Sequence, residues 1–424
     1  MWRPGAGLGH VQWGMPQFMV LAAFVAPYLL GTTMRFVEAT AGLPDTELAL
    51  ITCDPESRVP DGLRPRLAAH WRIDDPFDAK QIAAAAEAIG QHIGPVQRLF
   101  GVFEQLQVPL AQVRDHLGIP GMDAATARNF RDKAQMKSVL RAAGVPCARY
   151  RLADSADAAA GFAAEAGFPL VVKPPAGAGA KSTFRLDDAQ DLQVWLSVAP
   201  PAPDRPALIE EFLTGEEGSY DSVMTGGQMV WDSISSYQPT PLEVLRNPWI
   251  QWRVLLPRDI AGPEYDDIRA VAPAALRALG LQTGFTHMEW FRRPDGSVAV
   301  SEVAARPAGA QITSMLNYAH DFDFYRSWAQ LMVLGSFAPP ERRWSAGTVY
   351  LRGQGVGRVQ AVRGLGELPA EVRSLVVESR LPEPGQVSSG SYEGDGYVIV
   401  RHPDTAVVAD ALWQLITGVR VDLG

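Results

Sequence analysis

The chain has 424 residues, enough for roughly two to four domains with sizeable cores. Its hydrophobic content of 47% and charged content of 20% are those of an ordinary globular protein, and a net charge of −9 argues against a general nucleic-acid binder while leaving room for a local basic pocket. Two cysteines, Cys53 and Cys147, exclude a disulfide framework and offer no metal-ligand spacing, which fits a reducing, cytoplasmic setting.

The first apolar run, residues 18–26, is too short to span a membrane and is followed by Pro27. Only Arg3 precedes it and no cleavage site follows, so it reads as the buried first strand of a parallel sheet, and no membrane association is expected. Strand signals at 17–23, 47–53, 70–73 and 96–102 alternate with helical ones. The clearest helix covers 78–93 and stops at Gly94-Pro95. Such alternation predicts an α/β layer with a mostly parallel sheet.

A strong helix is expected over 127–144, carrying Arg131, Asp132, Lys133 and Lys137 and ended by Gly144-Val145-Pro146. A short helix (155–166) follows, then a strand (169–173) ending in Lys173, then a glycine-rich loop (176–183). That loop is not a P-loop, because Ala180 occupies the glycine position before Lys181-Ser182. Nor is it a dinucleotide fingerprint, since the third glycine is missing. Gly5, Gly7 and Gly9 lack a preceding strand. Small residues between two strands can still fold over a polyphosphate with backbone N–H groups as donors. The alternative is a plain hairpin tip with a solubilising lysine beside it.

A loop at 200–206 leads to a strand (207–213) and Gly215-Glu216-Glu217, then a hairpin signal at 225–228. The Pro-rich stretch 237–249 reads equally as a substrate loop or an irregular insertion. Trp231, Tyr237, Trp249, Trp252 and Trp290 are expected in packing roles, with an aromatic acceptor pocket as the alternative. A helix over 266–279 carries Arg269 and Arg277 on one face, either solvated or a carboxylate clamp. The end of the chain reads as β-rich with a closing helix (405–417), and no repeats appear.

Strands at 285–291 and 297–303 flank Pro294-Asp295-Gly296. A two-residue turn at Asp295-Gly296 makes Glu289 and Glu302 direct cross-strand neighbours, with Cβ atoms roughly 4.5–5.5 Å apart. Like charges so placed repel, unless they hold a cation or share a proton. Hard oxygens at this spacing suit Mg²⁺ bridging phosphates. The bland alternative is a solvated hairpin, and a one-residue slip would turn one acid away. His287 is expected as a satisfied strand histidine, on the far face from the acids or diagonal to them.

Taken in order, these pieces resemble the ATP-grasp superfamily over about residues 127–335. Asp132-Lys133 looks like the segment supplying the first nucleotide-contacting lysine, and Val171-Val172-Lys173-Pro174 like the strand bearing the second. The loop with Gly177, Gly179 and Ser182 is similar to the phosphate-covering loop. The segment from Glu210 and Glu211 to Leu213 resembles the hinge that holds adenine through backbone groups, with Glu217 where the ribose is usually met. Glu289, then Glu302 to Gly309 with Arg306, looks like the metal-ligand hairpin and its arginine. Ala304 departs from the pattern, since many members carry Asn or Asp there. The run after Glu302 is closest to the L-amino-acid ligase branch.

The resemblance implies an α/β protein, α+β overall, in three parts: an N-terminal α/β domain (1–125), the ATP-grasp domain (126–340, small lobe about 150–215) and a β-rich C-terminal domain (341–424). It implies ATP with Mg²⁺, or Mn²⁺ in its place, as cofactors, and an ADP-forming ligation of a carboxylate to an amine through an acyl phosphate. Lys133 and Lys173 would meet phosphates, Glu289 and Glu302 the metal, and Arg306 with Lys173 the reacting groups. The partners expected are small carboxylates and amines, among them amino acids, with no nucleic acid and with a homodimer through the N-terminal layer unsurprising. Alternatives are a carboxylase-like enzyme with a non-amine nucleophile, and a nucleotide-binding regulator without turnover.

Overall fold

The computed structural model describes residues 19–177, 183–247, 250–354 and 356–424. The N-terminal layer is a parallel sheet in the order β3-β2-β1-β4, made by β1 (Val20–Val25), β2 (Thr46–Thr52), β3 (Ala69–Arg72) and β4 (Arg98–Phe100). From Leu21 onward β1 is buried, as a central parallel strand covered on both faces requires. α1 (Gly31–Ala41), α2 (Ala79–His92) and α3 (Gln107–Leu117) supply the cover. Asp78 caps α2 by accepting from the Lys80 N–H, which is why that helix starts where the sequence predicts.

The single helix expected over 127–144 is two helices, α4 (Ala124–Arg131) and α5 (Lys133–Ala142). Asp132 breaks them: its backbone is extended (φ −92°, ψ 109°) and its carboxylate accepts from the Ala134 and Gln135 N–H groups. The break makes Lys133 the first residue of a new helix.

The small lobe is an antiparallel sheet, β5-β8-β6-β7, formed by β5 (Tyr150–Ala153), β6 (Leu170–Lys173), β7 (Phe184–Leu186) and β8 (Ala207–Glu211). α6 (Ala156–Ala166) and α7 (Ala189–Val198) pack on it through Phe162, Leu192 and Trp195.

An eight-stranded sheet in the order β13-β12-β9-β10-β11-β14-β17-β16 forms the body. It begins with the hairpin of β9 (Glu216–Thr225) and β10 (Gln228–Gln238), turning at Gly226-Gly227. The Pro-rich stretch forms a short helix, α8 (Pro241–Arg246), before β11 (Arg253–Leu256). α9 (Asp266–Leu279) packs beside α5 on the hairpin β12 (Gly284–Arg292) and β13 (Val298–Ala304). α10 (Ile312–His320) and α11 (Phe324–Leu334) bind the body to the N-terminal layer, where Trp328 meets Phe24, Phe36 and Phe100 edge-on.

β14 (Ser345–Leu351), β16 (Val376–Arg380) and β17 (Gly396–His402) complete the same sheet, so the boundary expected at 340 falls within a continuous sheet. β15 (Val359–Arg363), α12 (Ala370–Arg373), α13 (Thr405–Gly418) and β18 (Arg420–Leu423) close the chain around a small apolar cluster. Among the described residues, no helix is long and apolar enough to cross a membrane.

Candidate active site

A cleft of about 1230 Å³ lies between the small lobe and the large sheet, and it receives most of the residues singled out above. Lys133, Lys173, Gly177, Glu210, Glu211, Leu213, Glu217, Glu289, Glu302 and Arg306 all line it. Gly179 and Ser182 lie outside the described residues, as does Trp249.

Glu289 and Glu302 are register partners across β12 and β13. Burial, and then the facing Glu302, push the Glu289 carboxyl up. Burial pushes Glu302 the same way, but Lys133, Lys173 and Arg306 outweigh it and hold that carboxyl below the usual range. Lys133 Nζ donates to Glu302 Oε1 at 2.6 Å and to the Gly177 carbonyl at 3.1 Å. Glu217, on β9, is pushed well above the ordinary carboxyl value by burial and then by Glu289. Among the described residues no group of three or more His, Cys, Asp or Glu side chains is placed to hold a metal, so the two glutamates stand as a pair. Two half-buried carboxylates that face each other fit a divalent cation that completes its shell with phosphate or water oxygens.

Lys173 leaves β6 and pairs with Glu210 Oε2 at 3.0 Å. Burial pulls its ammonium down, but Glu210 and Glu302 outweigh burial and raise it. Glu210 also faces Lys137, whose Nζ lies 3.4 Å from Oε1. This second contact is an ion pair without hydrogen-bond geometry, because Glu210 Oε1 has no hydrogen-bond partner. Glu210 thus uses its carboxylate on lysines. Glu211 turns the other way, onto Arg149 at 2.7 Å and Arg293 at 3.4 Å. The Glu211 and Phe212 N–H groups are spent on the Arg149 and Pro169 carbonyls, while Glu210, Glu211, Phe212 and Leu213 all line the cleft.

Arg306 pairs with Glu104 at 3.1 Å and donates to the Pro307 carbonyl. Glu104 also takes Arg131 at 3.4 Å, and Arg131 reaches the Gly177 carbonyl at 2.9 Å. Burial lowers the Arg306 guanidinium, but Glu104 outweighs burial and raises it. Glu104 sits just beyond the carboxyl end of β4, where ligands gather in open parallel sheets.

His287 takes the second of the two places expected of it, diagonal to Glu302, since it pairs with Ala304. It shares the cleft face with Glu289, two residues along β12, because alternate residues of a strand point the same way. It is nevertheless satisfied: Nδ1 lies 2.7 Å from Asp221 and Nε2 lies 3.3 Å from the Tyr237 hydroxyl. The aromatic residues divide. Trp231 and Trp290 are in the core. Trp252 stacks on Tyr350 at 4.6 Å, meets Tyr237 and Tyr392 edge-on, and lines the cleft with both. α8 also lines the cleft, through Leu242, Glu243 and Arg246. Arg269 is no clamp: it is tied to Asp266 and to the carbonyls of residues 260–262.

Sequence reasoning gave no role to Lys137, Glu104, Arg131 or Tyr392. Lys137 was findable, since it follows Lys133 by one helical turn and shares its face. Glu104 and Tyr392 come from the two ends of the chain and carry no local pattern.

Residues 138–316 match the ATP-grasp domain. The chain is 27% identical over 373 residues to the uncharacterized protein y4rH of Sinorhizobium fredii, covering 82% of this chain and 69% of that protein. It is 25% identical over 277 residues to the L-arginine-specific L-amino acid ligase of Bacillus subtilis, covering 63% of this chain and 66% of that protein, just under two thirds. The crystal structure of an L-amino acid ligase from Bacillus licheniformis superimposes with a TM-score of 0.75 at 18% identity, covering 96% of this chain and 99% of that one. The match over residues 138–316 and the shared fold agree that this part of the chain is an ATP-grasp domain.

Proposed function

We propose that the protein is an ADP-forming ligase that joins a carboxylate to an amine, with an amino acid among its substrates. The observation that carries this reading is the Glu289–Glu302 pair facing Lys133, Lys173 and Arg306 within one cleft. The likeness to L-amino acid ligases in sequence supports the choice of substrate class.

The chemistry must bring a carboxylate and a triphosphate together, and both are anions. Lys133 and Lys173 would face the phosphates, and Leu213 and the hinge would seat the base. Mg²⁺, or Mn²⁺, carried in with ATP would be held by Glu289 and Glu302, where it neutralises charge on the phosphates. The substrate carboxylate oxygen attacks the γ-phosphorus, the bond to ADP breaks, and an acyl phosphate forms. Arg306, fixed by Glu104 and the Pro307 carbonyl, offers a rigid fork of donors to the carboxylate and then to the oxyanion. The amine nitrogen then attacks the acyl carbon, the C–O bond to phosphate breaks, and phosphate leaves as the nitrogen gives up a proton. Enclosure between the two lobes keeps water from the acyl phosphate.

The test is a phosphate-release screen with ATP and Mg²⁺ over a matrix of amino acids and carboxylates, with products read by mass. Phosphate release that depends on both an acid and an amine, with a product at the mass of their amide, is expected. Release without amide, or no release with any pair, would overturn the reading.

A further inference from the structure

Glu210 is 5% exposed, Lys137 is 1% exposed, and a carboxylate so placed must keep a counter-ion. Glu210 has two, Lys173 at 3.0 Å on Oε2 and Lys137 at 3.4 Å on Oε1. The two lysines differ in what they can reach. Lys173 lines the cleft, whereas Lys137 does not and is anchored from below, its Nζ donating to the Ser301 carbonyl at 3.2 Å. Ser301 is the extra residue of a β-bulge that lies between Glu289 and Trp290 in the pairing of β12 with β13. Lys137 therefore touches both halves of the site: the acid that holds Lys173, and the backbone next to Glu302.

Both cleft lysines are tied to acids, Lys133 to Glu302 and Lys173 to Glu210. A polyphosphate that takes both lysines strips both acids of their partners. Glu302 would be compensated by a divalent cation carried in with the nucleotide. Glu210 is not among the residues placed to meet that cation, and its only other charged neighbour within ion-pair distance among the described residues is Lys137. We propose that Lys137 is a positioning residue, a reserve counter-ion that keeps Glu210 neutralised when Lys173 turns from it to the phosphates. This rests on the nucleotide role given to Lys173 above, and not on what the nucleophile is. Without Lys137, movement of Lys173 to phosphate would leave a buried carboxylate bare, and binding would carry that cost. With both lysines present Glu210 is over-compensated, so removing Lys137 leaves a balanced Lys173–Glu210 pair and a fold that can persist.

The test is calorimetric binding of MgATP and of adenosine to the full chain. Lys137→Met is expected to weaken MgATP at least about tenfold while leaving adenosine unchanged. Lys137→Gln, which keeps a donor for the Ser301 carbonyl without the charge, is expected to show the same loss. In a Glu210→Gln background the Lys137→Met change should have no further effect on MgATP, because there is no longer a charge to cover. Normal MgATP binding by either Lys137 variant, an equal loss for adenosine, or an additive double variant would overturn the proposal. A wild-type chain that binds MgATP but forms no amide would sink the ligase reading and leave this one standing.

Discussion

Glu289 faces Glu302 across β12 and β13 because two irregularities cancel. The turn holds three residues, Pro294-Asp295-Gly296, closed by the Arg293 N–H to the Ser297 carbonyl and by Gly296 at φ +83°. That is one residue more than the two-residue turn expected, so the strands leave the turn one place out of step, pairing Trp290 with Val300. The bulge at Ser301 restores the step, and it also sends Val300 into the core and Glu302 into the cleft.

If this pair and the two lysines form the nucleotide site, Glu302→Ala and Lys173→Ala should each reduce ATP turnover by at least about 100-fold. Both residues line an open cleft, so thermal unfolding should remain cooperative. Near-normal ADP release from either folded variant would contradict the assignment.

Arg306→Lys keeps a charge near Glu104 but loses the planar fork. The turnover number for amide formation should fall on the order of 100-fold while KM for ATP moves by less than about threefold. A variant with unchanged turnover would remove Arg306 from the reacting end of the cleft.

Gly215 joins β8 to β9 with φ +129°, and a Cβ built there would sit 1.9 Å from the Arg292 carbonyl oxygen. No flexible side chain can give way, since the neighbour is backbone. Gly215→Ala should cost roughly 2–4 kcal/mol in denaturant unfolding. A loss below about 0.5 kcal/mol would mean that the hinge backbone moves freely.

His320 is packed against Trp231 and Phe324, and burial, helped by Arg342, pulls its pKa from 6.5 to about 4. Its folded value is depressed, so the unfolded chain binds the proton first as pH falls. Stability should therefore decline between pH 6.5 and about 4, with this group contributing up to about 3 kcal/mol of the loss. His320→Asn, which retains a donor for the Leu316 carbonyl that Nδ1 contacts, should flatten that part of the profile. Parallel stability curves for the two proteins between pH 4 and 7 would refute the assignment.

Local chemistry made much of the molecule legible in the sequence. The Asp78 cap, the 266–279 helix and the Gly226-Gly227 hairpin follow from caps, turns and periodicity acting over a few residues, whereas the opposition of Glu289 and Glu302 also needed the bulge at Ser301. The Asp132 break was present in the same signals, but an N-cap inside a helical run competes with the run itself.

The tertiary structure alone decided which charges meet. Lys133 and Glu302 lie 169 positions apart, and Arg306 finds Glu104 over a separation of 202. It alone also laid β14, β16 and β17 on the body's sheet and turned Glu210 toward two lysines and Glu211 away. Turn and cap energies are short-range and written in neighbouring residues. Ion pairs in a buried cleft depend on how whole layers pack, which no stretch of sequence records by itself.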